Sequence, residues 1–362
     1  MKKKKKIEEQ EQNLQYEEDM AELPPPDIVA FNELRSCADL YRMVESGNLE
    51  IQPEFQRDVI WKLPDQTRFI DSLVKALPIP SMCFSLDYKT RKWQVIDGLQ
   101  RMATIKNFLS GEMQSLSRLD DIDQKLSGKE VKLFHDKESK LYSYLERVEN
   151  LTLPITVLRC DYSKENHKRY LFMIFHRLNT GGTKLNNQEI RNCIYSGSFN
   201  DLIKELDQND FWRKINKMKP NESYRFTKQE IILRMFALQD NLKNYKGRLA
   251  SFLNKYMDDH QTEDKRFLNR KKIIFEQTVK ILYQDVFSED PPKITVTVLE
   301  ALLVGISKNL KILEVMSTQS IKTRYQQLLS HEEFSDERLS EGLSGKARVI
   351  GRLAAAIDIF GD

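Results

Sequence analysis

Apolar and polar positions divide the chain into a mixed N-terminal part and a helical C-terminal part. Residues 81–87 and 91–97 are short apolar runs on either side of a polar link, which is typical of a β-hairpin. Residues 153–160 predict a further buried strand. From Leu185 onward the apolar spacing is helical, and no strand pattern of comparable quality follows.

Helical spacing also occurs between the predicted strands. Residues 31–47 predict a helix that ends at Gly47, and Pro64 begins another. Gly98 allows a sharp turn from the second hairpin strand into a helix, and residues 164–178 predict an amphipathic helix. Residues 110–150 are charged and poorly periodic, which predicts a helical insertion or loop. In the C-terminal part the predicted helices cover residues 186–195, 199–207, 227–240, 247–257, 270–287, 296–316, 318–329 and 340–359.

These elements predict an α+β protein with a small mixed β-sheet followed by an all-helical domain. We predict a disordered charged tail over residues 1–30, a mixed domain over residues 31–184 and a helical domain over residues 185–362. The tail ends near three consecutive prolines, Pro24 to Pro26, and carries a net charge of −3 from five lysines and eight acids.

Composition excludes several classes of protein. The 362 residues include 18 Phe, 13 Tyr and 3 Trp, more aromatic residues than a disordered chain carries. No apolar run approaches the roughly 18 residues of a membrane span, so we expect no membrane partner. The four cysteines are widely spaced among apolar neighbours, which favours reduced, buried thiols. The basic start is followed by acidic residues instead of the apolar core of a signal peptide, so we expect a cytoplasmic location.

The strongest candidate for chemistry is the strand–turn–helix around Asp97, Gly98, Gln100 and Arg101. A strand delivers the acid to its carboxyl end, and a helix N-terminus attracts an anion. Arg101 carries a guanidinium fork that suits phosphate oxygens, and Asp97 could hold a metal ion or a water. The alternative is that Asp97 caps the helix while Arg101 pairs with a surface acid.

Two further segments are candidates for phosphate binding. Pro53 to Arg57, followed by Trp61, places Gln56 and Arg57 beside aromatic residues, although a loop anchored in the core by its aromatics is the alternative. His176 to Thr183 contains two glycines, an asparagine and two threonines, which could form an anion-binding nest or an ordinary helix C-cap. The histidines His135 and His167 lie in charged surroundings and are expected to be solvated, and none is taken as catalytic.

Four segments together resemble a known family. PEFQRDVIWK, LPIPSM, WQVIDGLQRMATIKNFL and FHRLNTGGTKLNNQEIRNCIY occur in this order. In this order they resemble the N-terminal domain of GmrSD-type restriction endonucleases, a bacterial group with a ParB/sulfiredoxin-like fold. The resemblance runs from about Leu40 to the helices near Met257. It implies nucleotide binding and hydrolysis in restriction–modification or phage defence.

The resemblance implies roles for individual residues. The family's D-G-Q-Q-R motif corresponds to Asp97, Gly98, Gln100 and Arg101, with Leu99 in place of the first glutamine. The F-Q-R motif corresponds to Phe55, Gln56 and Arg57. The R-L-N-T-G-G motif runs from Arg177 through Asn179 to Gly181 and Gly182. The HNH nuclease domain that family members carry is not recognised in this sequence.

Two functions follow as alternatives. The first is a magnesium-dependent NTPase in which Asp97, Gln100 and Arg101 are catalytic, Mg²⁺ is held through Asp97, and phosphates bind at Gln56, Arg57, Gly98, Arg177, Asn179, Gly181 and Gly182. The second is a ParB-like DNA-binding or scaffolding module that a nucleotide gates without turnover.

DNA binding would use the basic stretch 203–250, which contains 11 Lys and Arg residues and six acidic residues. The candidate DNA contacts are Lys214, Lys217 and Lys219. Six aromatic residues interleave with these charges, although a helical core with solvated lysines explains the same pattern. The expected partners are a nucleotide, DNA and a separate nuclease subunit, and the helical domain offers a surface for a homodimer.

A redox or phosphoryl-transfer site of the sulfiredoxin type is excluded on this alignment. The thiol and the histidine of that site are both absent at Leu99 and Gln100. Cys83 lies in the hairpin and has no basic neighbour in the sequence.

Overall fold

The computed structural model describes residues 24–51, 61–178, 185–219, 224, 226–339 and 342–362. They form two compact units, of which one ends at Leu185 and the other begins at Asn186. The first contains a mixed β-sheet and the second is helical. The predicted α+β class is therefore confirmed. Gln56, Arg57, Asn179, Gly181 and Gly182 lie outside the described residues, as does most of the predicted tail.

The first unit is built on a five-stranded sheet with strand order β1-β5-β3-β4-β2. Its strands are β1 (Val29–Ser36), β2 (Leu49–Glu50), β3 (Met82–Asp87), β4 (Trp93–Asp97) and β5 (Thr152–Cys160). Strands β3 and β4 pair antiparallel, which confirms the predicted hairpin. Strand β1 is antiparallel to β5, whereas β3 runs parallel to β5 and β2 parallel to β4.

Helices cover both faces of this sheet. They are α1 (Cys37–Glu45), α2 (Leu63–Val74), α3 (Leu99–Leu109), α4 (Lys132–His135), α5 (Tyr142–Asn150) and α6 (Glu165–Leu178). The main core joins Phe84 and Val157 of the sheet to Leu40, Ile70 and Phe108 of the helices. Helix α6 packs against β4. The predicted insertion consists of α4, α5 and the loops around them, with one isolated bridge between Ser115 and Glu130.

The predicted helix over residues 31–47 is wrong at its start. Residues 31–36 belong to β1, and α1 begins only at Cys37. The Ser36 side chain accepts a hydrogen bond from the Asp39 backbone N–H at 3.1 Å, so Ser36 is the N-cap of α1. Strand β1 buries little apolar surface, and its strand state comes from pairing with β5, a partner that lies more than a hundred residues away in the sequence.

The second unit consists of helices. They are α7 (Asn187–Ile194), α8 (Ser198–Leu206), α9 (Asp210–Ile215), α10 (Thr227–Asn241), α11 (Leu249–Asp259), α12 (Lys265–Ile281), α13 (Val296–Lys308), α14 (Leu310–Leu313), α15 (Thr318–Ser330) and α16 (Lys346–Gly361). A π-helical turn, Leu282–Val286, extends α12. Helix α13 is buried along most of its length and packs against α10 and α16.

The structure differs from the predicted helices at two places. Helix α9 is not among the predicted helices, because its six residues are too few to show apolar periodicity; it begins at the Asn209 N-cap. The predicted helix 296–316 is broken after Lys308. There the Asn309 side chain donates hydrogen bonds to the carbonyls of Gly305 and Ile357, at 2.9 and 2.8 Å.

The helical unit contains buried charges around α7. Arg191 is 1% exposed and donates to Glu230 at 2.8 Å and to the Asn254 side chain at 2.8 Å. Glu230 also accepts from Arg234 at 2.6 Å. The two arginines hold the pKa of Glu230 below its usual value although burial acts in the opposite direction. These groups satisfy one another inside the core.

Within the described residues, none of the helices has the length and apolar character needed to cross a membrane.

Candidate functional site

The turn after β4 requires a glycine at position 98. Gly98 has φ +94°, in the left-handed region, and is the N-cap residue of α3. A β-carbon at this position would lie 2.5 Å from the Cγ atom of Met82. The chain therefore passes from strand to helix in one residue, which places Asp97 at the carboxyl end of β4 and directly beside the N-terminus of α3.

The N-terminus of α3 has backbone donors that no side chain caps. Gly98 has no side chain to cap the helix. Within the described residues, the N–H groups of Leu99, Gln100 and Arg101 have no hydrogen-bond acceptor. Such groups carry the positive end of the helix dipole and are suited to an anion.

Asp97 and Arg101 form an ion pair across one turn. The Arg101 Nη2 atom lies 2.9 Å from the Asp97 Oδ2 atom. Arg101 also donates from Nη1 to the Pro80 carbonyl and from Nη2 to the Ser81 carbonyl, the latter at 3.5 Å. Burial lowers the pKa of the Arg101 guanidinium, and Asp97 opposes this change. The arginine thus pairs with the candidate acid itself and not with a separate surface acid.

Gln100 connects this turn to the second candidate segment. Its Oε1 atom accepts a hydrogen bond from the Trp61 backbone N–H at 3.3 Å. The Trp61 carbonyl in turn accepts from the Gln66 side chain at 2.9 Å, and the Trp61 ring packs edge-on against Phe69. Trp61 is the first described residue after the segment that carries Gln56 and Arg57.

The third candidate segment begins at the end of α6. Arg177 is exposed in the last turn of this helix, and α6 packs against β4, the strand that ends in Asp97. Of the predicted nucleotide-site residues, the structure brings together Asp97, Gly98, Gln100 and Arg101.

Cys83 lies opposite Asp97 in the pairing of β3 with β4. Burial, together with the nearby Asp97 charge, raises the pKa of the Cys83 thiol to about 12. All four cysteines are buried thiols without a disulfide, as predicted. A thiol with this pKa is protonated at neutral pH and is not a nucleophile.

The expectation that His135 and His167 are solvated is wrong for His167, and His135 is half-buried. His135 Nε2 lies 3.0 Å from the Phe108 carbonyl. His167 is fully buried, and its Nδ1 accepts from the Asp161 backbone N–H at 3.0 Å while Nε2 donates to Asp27 at 2.9 Å. Charged neighbours in the sequence did not reveal the contacts with Phe108 and Asp27 because these partners are distant along the chain.

The three candidate DNA-binding lysines lie in the helical unit and are exposed. Lys214 lies on the rings of Phe211 and Tyr283, with its Nζ atom 6.0 and 5.4 Å from their centres. Three of the interleaved aromatic residues are fully buried and cannot stack on a base. They are Trp212, Phe236 and Tyr245.

Part of the chain matches a known protein family. Residues 37–196 match the family model described as "GmrSD restriction endonuclease, N-terminal domain". This part of the chain is a GmrSD N-terminal domain. The GmrSD N-terminal domain here begins with α1, includes the Asp97 turn and extends just beyond α7. The match suggests a restriction-type or defence protein.

Two other comparisons gave no further relatives. Among curated proteins and among solved structures, no match to this chain was found. The predicted ParB/sulfiredoxin-like fold of the GmrSD N-terminal domain therefore stays a prediction.

Proposed function

We propose that this GmrSD N-terminal domain binds a nucleoside triphosphate and hydrolyses it in a defence reaction directed at foreign DNA. The observation that supports this most is the uncapped N-terminus of α3, directly after a strand that ends in Asp97. A helix N-terminus of this kind suits phosphate oxygens. The proposal includes DNA and a separate nuclease subunit as partners, and a cytoplasmic location.

Arg101 would contribute to phosphate binding through the donors that its present contacts leave. Its bonds to Asp97, Pro80 and Ser81 use the two Nη groups. The Nε hydrogen and one Nη1 hydrogen have no acceptor within the described residues. Because Asp97 and two carbonyls hold the guanidinium, these donors are fixed in direction before a ligand binds.

Asp97 is the residue that would hold Mg²⁺. Arg101 binds its Oδ2 atom, whereas its Oδ1 atom has no hydrogen-bond partner among the described residues. Mg²⁺ in nucleotide sites often takes only one or two protein carboxylates, and phosphates and waters complete its shell. The single carboxylate therefore fits the ion. When bound, Mg²⁺ would neutralise phosphate charge.

Gln100 would orient a water or a phosphate oxygen. Its Oε1 atom accepts a hydrogen bond from the Trp61 backbone N–H, and this bond fixes the orientation of the amide and therefore of its Nε2 group. No acceptor within the described part of the chain binds that Nε2 group. An amide fixed in this way has two donors ready for an oxygen ligand.

A second candidate function is a nucleotide-gated binding module without turnover. The ion pair between Asp97 and Arg101 favours it, because Arg101 already neutralises the carboxylate that turnover would need for Mg²⁺, whereas the remaining Arg101 donors still suit a phosphate.

Phosphate release from each NTP, measured with Mg²⁺ and with or without DNA, tests the proposal. The parent protein is compared with Asp97→Asn and Arg101→Ala, and Arg68→Ala is the control because Arg68 is an exposed, ion-paired arginine of the same unit. Nucleotide affinity is measured in parallel by calorimetry.

We expect the parent protein to hydrolyse a nucleotide. Asp97→Asn should abolish turnover and have a smaller effect on nucleotide affinity. Arg101→Ala should reduce both turnover and nucleotide affinity at least tenfold. Turnover unchanged in both variants would place the reaction elsewhere. Nucleotide binding without turnover in the parent protein would select the gated module. A parent protein that neither binds nor hydrolyses any NTP would overturn both functions.

A further inference from the structure

Strand β1 has an edge that is unpaired within the described residues. It is the outermost strand of the sheet and pairs with β5 along all eight of its residues, Val29–Ser36, without a bulge. On its other side no described strand pairs with it. Edge strands of this length in natural proteins are usually shortened, bulged or covered.

The outward-facing backbone groups belong to the even-numbered residues. Cys37 directly follows β1, and Leu151 directly precedes β5. The Cys37 backbone N–H donates to the Leu151 carbonyl, in the register of the β1–β5 pairing. Because alternate residues of an antiparallel strand direct their N–H and C=O to the same side, odd-numbered residues of β1 face β5. Ala30, Asn32 and Leu34 therefore direct their backbone groups outward, where no described residue binds them.

Apolar side chains accompany this edge. Leu34 is 70% exposed, Val29 48% and Phe31 38%. The charges of β1 are Glu33 and Arg35, which pair with each other at 2.5 Å. Neither a proline nor a lysine of β1 protects the edge against pairing.

We propose that a second copy of this chain pairs with β1, antiparallel, about a two-fold axis at Asn32. The dimer would contain one continuous sheet of ten strands, five from each copy. This inference does not depend on the proposed nucleotide function, since β1 precedes the matched residues 37–196.

The position of the axis follows from which residues direct their backbone groups outward and from the charges of β1. A two-fold axis normal to the sheet keeps each side chain on its own face, so outward-facing residues of one copy must bond outward-facing residues of the other. An axis at Asn32 pairs Ala30 with Leu34 of the other copy and forms about six backbone hydrogen bonds. An axis at Glu33 would place two carboxylates directly opposite each other, which is unfavourable. An axis at Phe31 would pair fewer residues.

The chain's own N-terminal segment is a poor occupant of this edge. Residues 1–23 are rich in Lys, Glu and Gln, which are depleted in strands. A hairpin back onto β1 would need its turn at Pro24-Pro25-Pro26, where three residues lack a backbone N–H. A second copy instead offers a strand that matches β1 in length and hydrogen-bonding pattern.

Disulfide trapping tests the register. In the proposed dimer the two Asn32 residues form a hydrogen-bonded pair, with Cα atoms about 5.5 Å apart, within disulfide range. We expect Asn32→Cys to form an interchain disulfide under mild oxidation. Phe31→Cys and Glu33→Cys, whose Cα atoms would lie about 8 Å from their symmetry mates, should not. The parent protein, with its four buried thiols, is the background control.

Sedimentation velocity across a wide range of concentration tests the dimer itself. Asn32→Pro removes an outward N–H that the sheet within one copy does not use, and Leu34→Lys adds a charge at the edge; both should shift the population to monomer. Leu77→Lys, at another leucine 48% exposed, should leave it unchanged. Circular dichroism verifies that each variant is folded.

A parent protein that is monomeric at every concentration would overturn the proposal. So would a dimer that resists Asn32→Pro and Leu34→Lys, because that dimer would use another surface. A crosslink at residue 31 or 33 with none at residue 32 would refute the axis at Asn32.

Discussion

Met82 stands so close to Gly98 that a β-carbon on Gly98 would lie 2.5 Å from the Met82 Cγ atom. The first residue of β3 thus restricts the turn that leads from β4 into α3. This contact explains why position 98 must be glycine for two reasons, its left-handed backbone and the space that Met82 occupies.

We therefore expect Gly98→Ala to lower the free energy of unfolding by about 2–5 kcal/mol, the sum of backbone strain and overpacking. Gly47→Ala is the matched control, because Gly47 also has a positive φ but open space around it. It should cost about 1–2 kcal/mol. Urea denaturation measures both, and equal losses would show that Met82 does not restrict the turn.

Removing Arg191 should strongly destabilise the helical unit. Arg191→Ala leaves Glu230 in the core without one of its two cations, and we expect a loss of about 3–5 kcal/mol. The control is Lys255→Ala, which removes an exposed pair with Asp259 and should cost less than about 1 kcal/mol. Similar unfolding midpoints for the two variants would contradict a stabilising role for the buried network.

Stability at acid pH should depend on Asp27. Hydrogen bonds from Lys164 and then from His167 lower the pKa of Asp27 from 3.8 to about 2. The folded state therefore stabilises the ionised Asp27 carboxylate relative to the unfolded state. This contribution to the free energy of unfolding is present above about pH 4 and is lost as the pH falls toward 2.

Asp27→Asn should therefore flatten the acid limb of a plot of unfolding free energy against pH, relative to the parent protein. Lys164→Met, which removes the main donor, should flatten it in part. Parallel curves for all three proteins would show that Asp27 makes no such contribution.

DNA binding by the helical unit stays a prediction. Replacing Lys214, Lys217 and Lys219 by Glu should weaken DNA binding and reduce the slope of log affinity against log salt, because fewer counterions are released. Fluorescence anisotropy at several salt concentrations measures both quantities.

The charge control replaces Lys125, Lys129 and Lys132, three exposed lysines of the sheet unit, by Glu. This set changes the net charge by the same amount at another place. If both sets lower affinity equally, the effect comes from overall charge and the DNA surface is not at Lys214, Lys217 and Lys219.

The local part of the candidate site was predictable, whereas its contacts were not. A strand, a glycine and a helix in sequence predicted the turn at Gly98, and Pro64 predicted the start of α2 within one residue. The partners of Arg101 were not predictable, because the Pro80 and Ser81 carbonyls reach it only when β3 and β4 are paired. The same holds for the bond between Trp61 and Gln100.

The sequence by itself determined the elements whose signals are local: the β3–β4 hairpin, strand β5, the turn at Gly98 and most helices of the second unit. Apolar periodicity and turn residues act over a few positions, so neighbours in the chain suffice to specify them.

Only the tertiary structure decided that residues 31–36 form a strand, that His167 is buried against Asp27 and that Arg191 lies in a charged core. Each of these depends on partners far away in sequence. A strand needs a neighbouring strand for its hydrogen bonds, and a buried charge needs a counter-charge, and neither requirement leaves a local pattern in the chain.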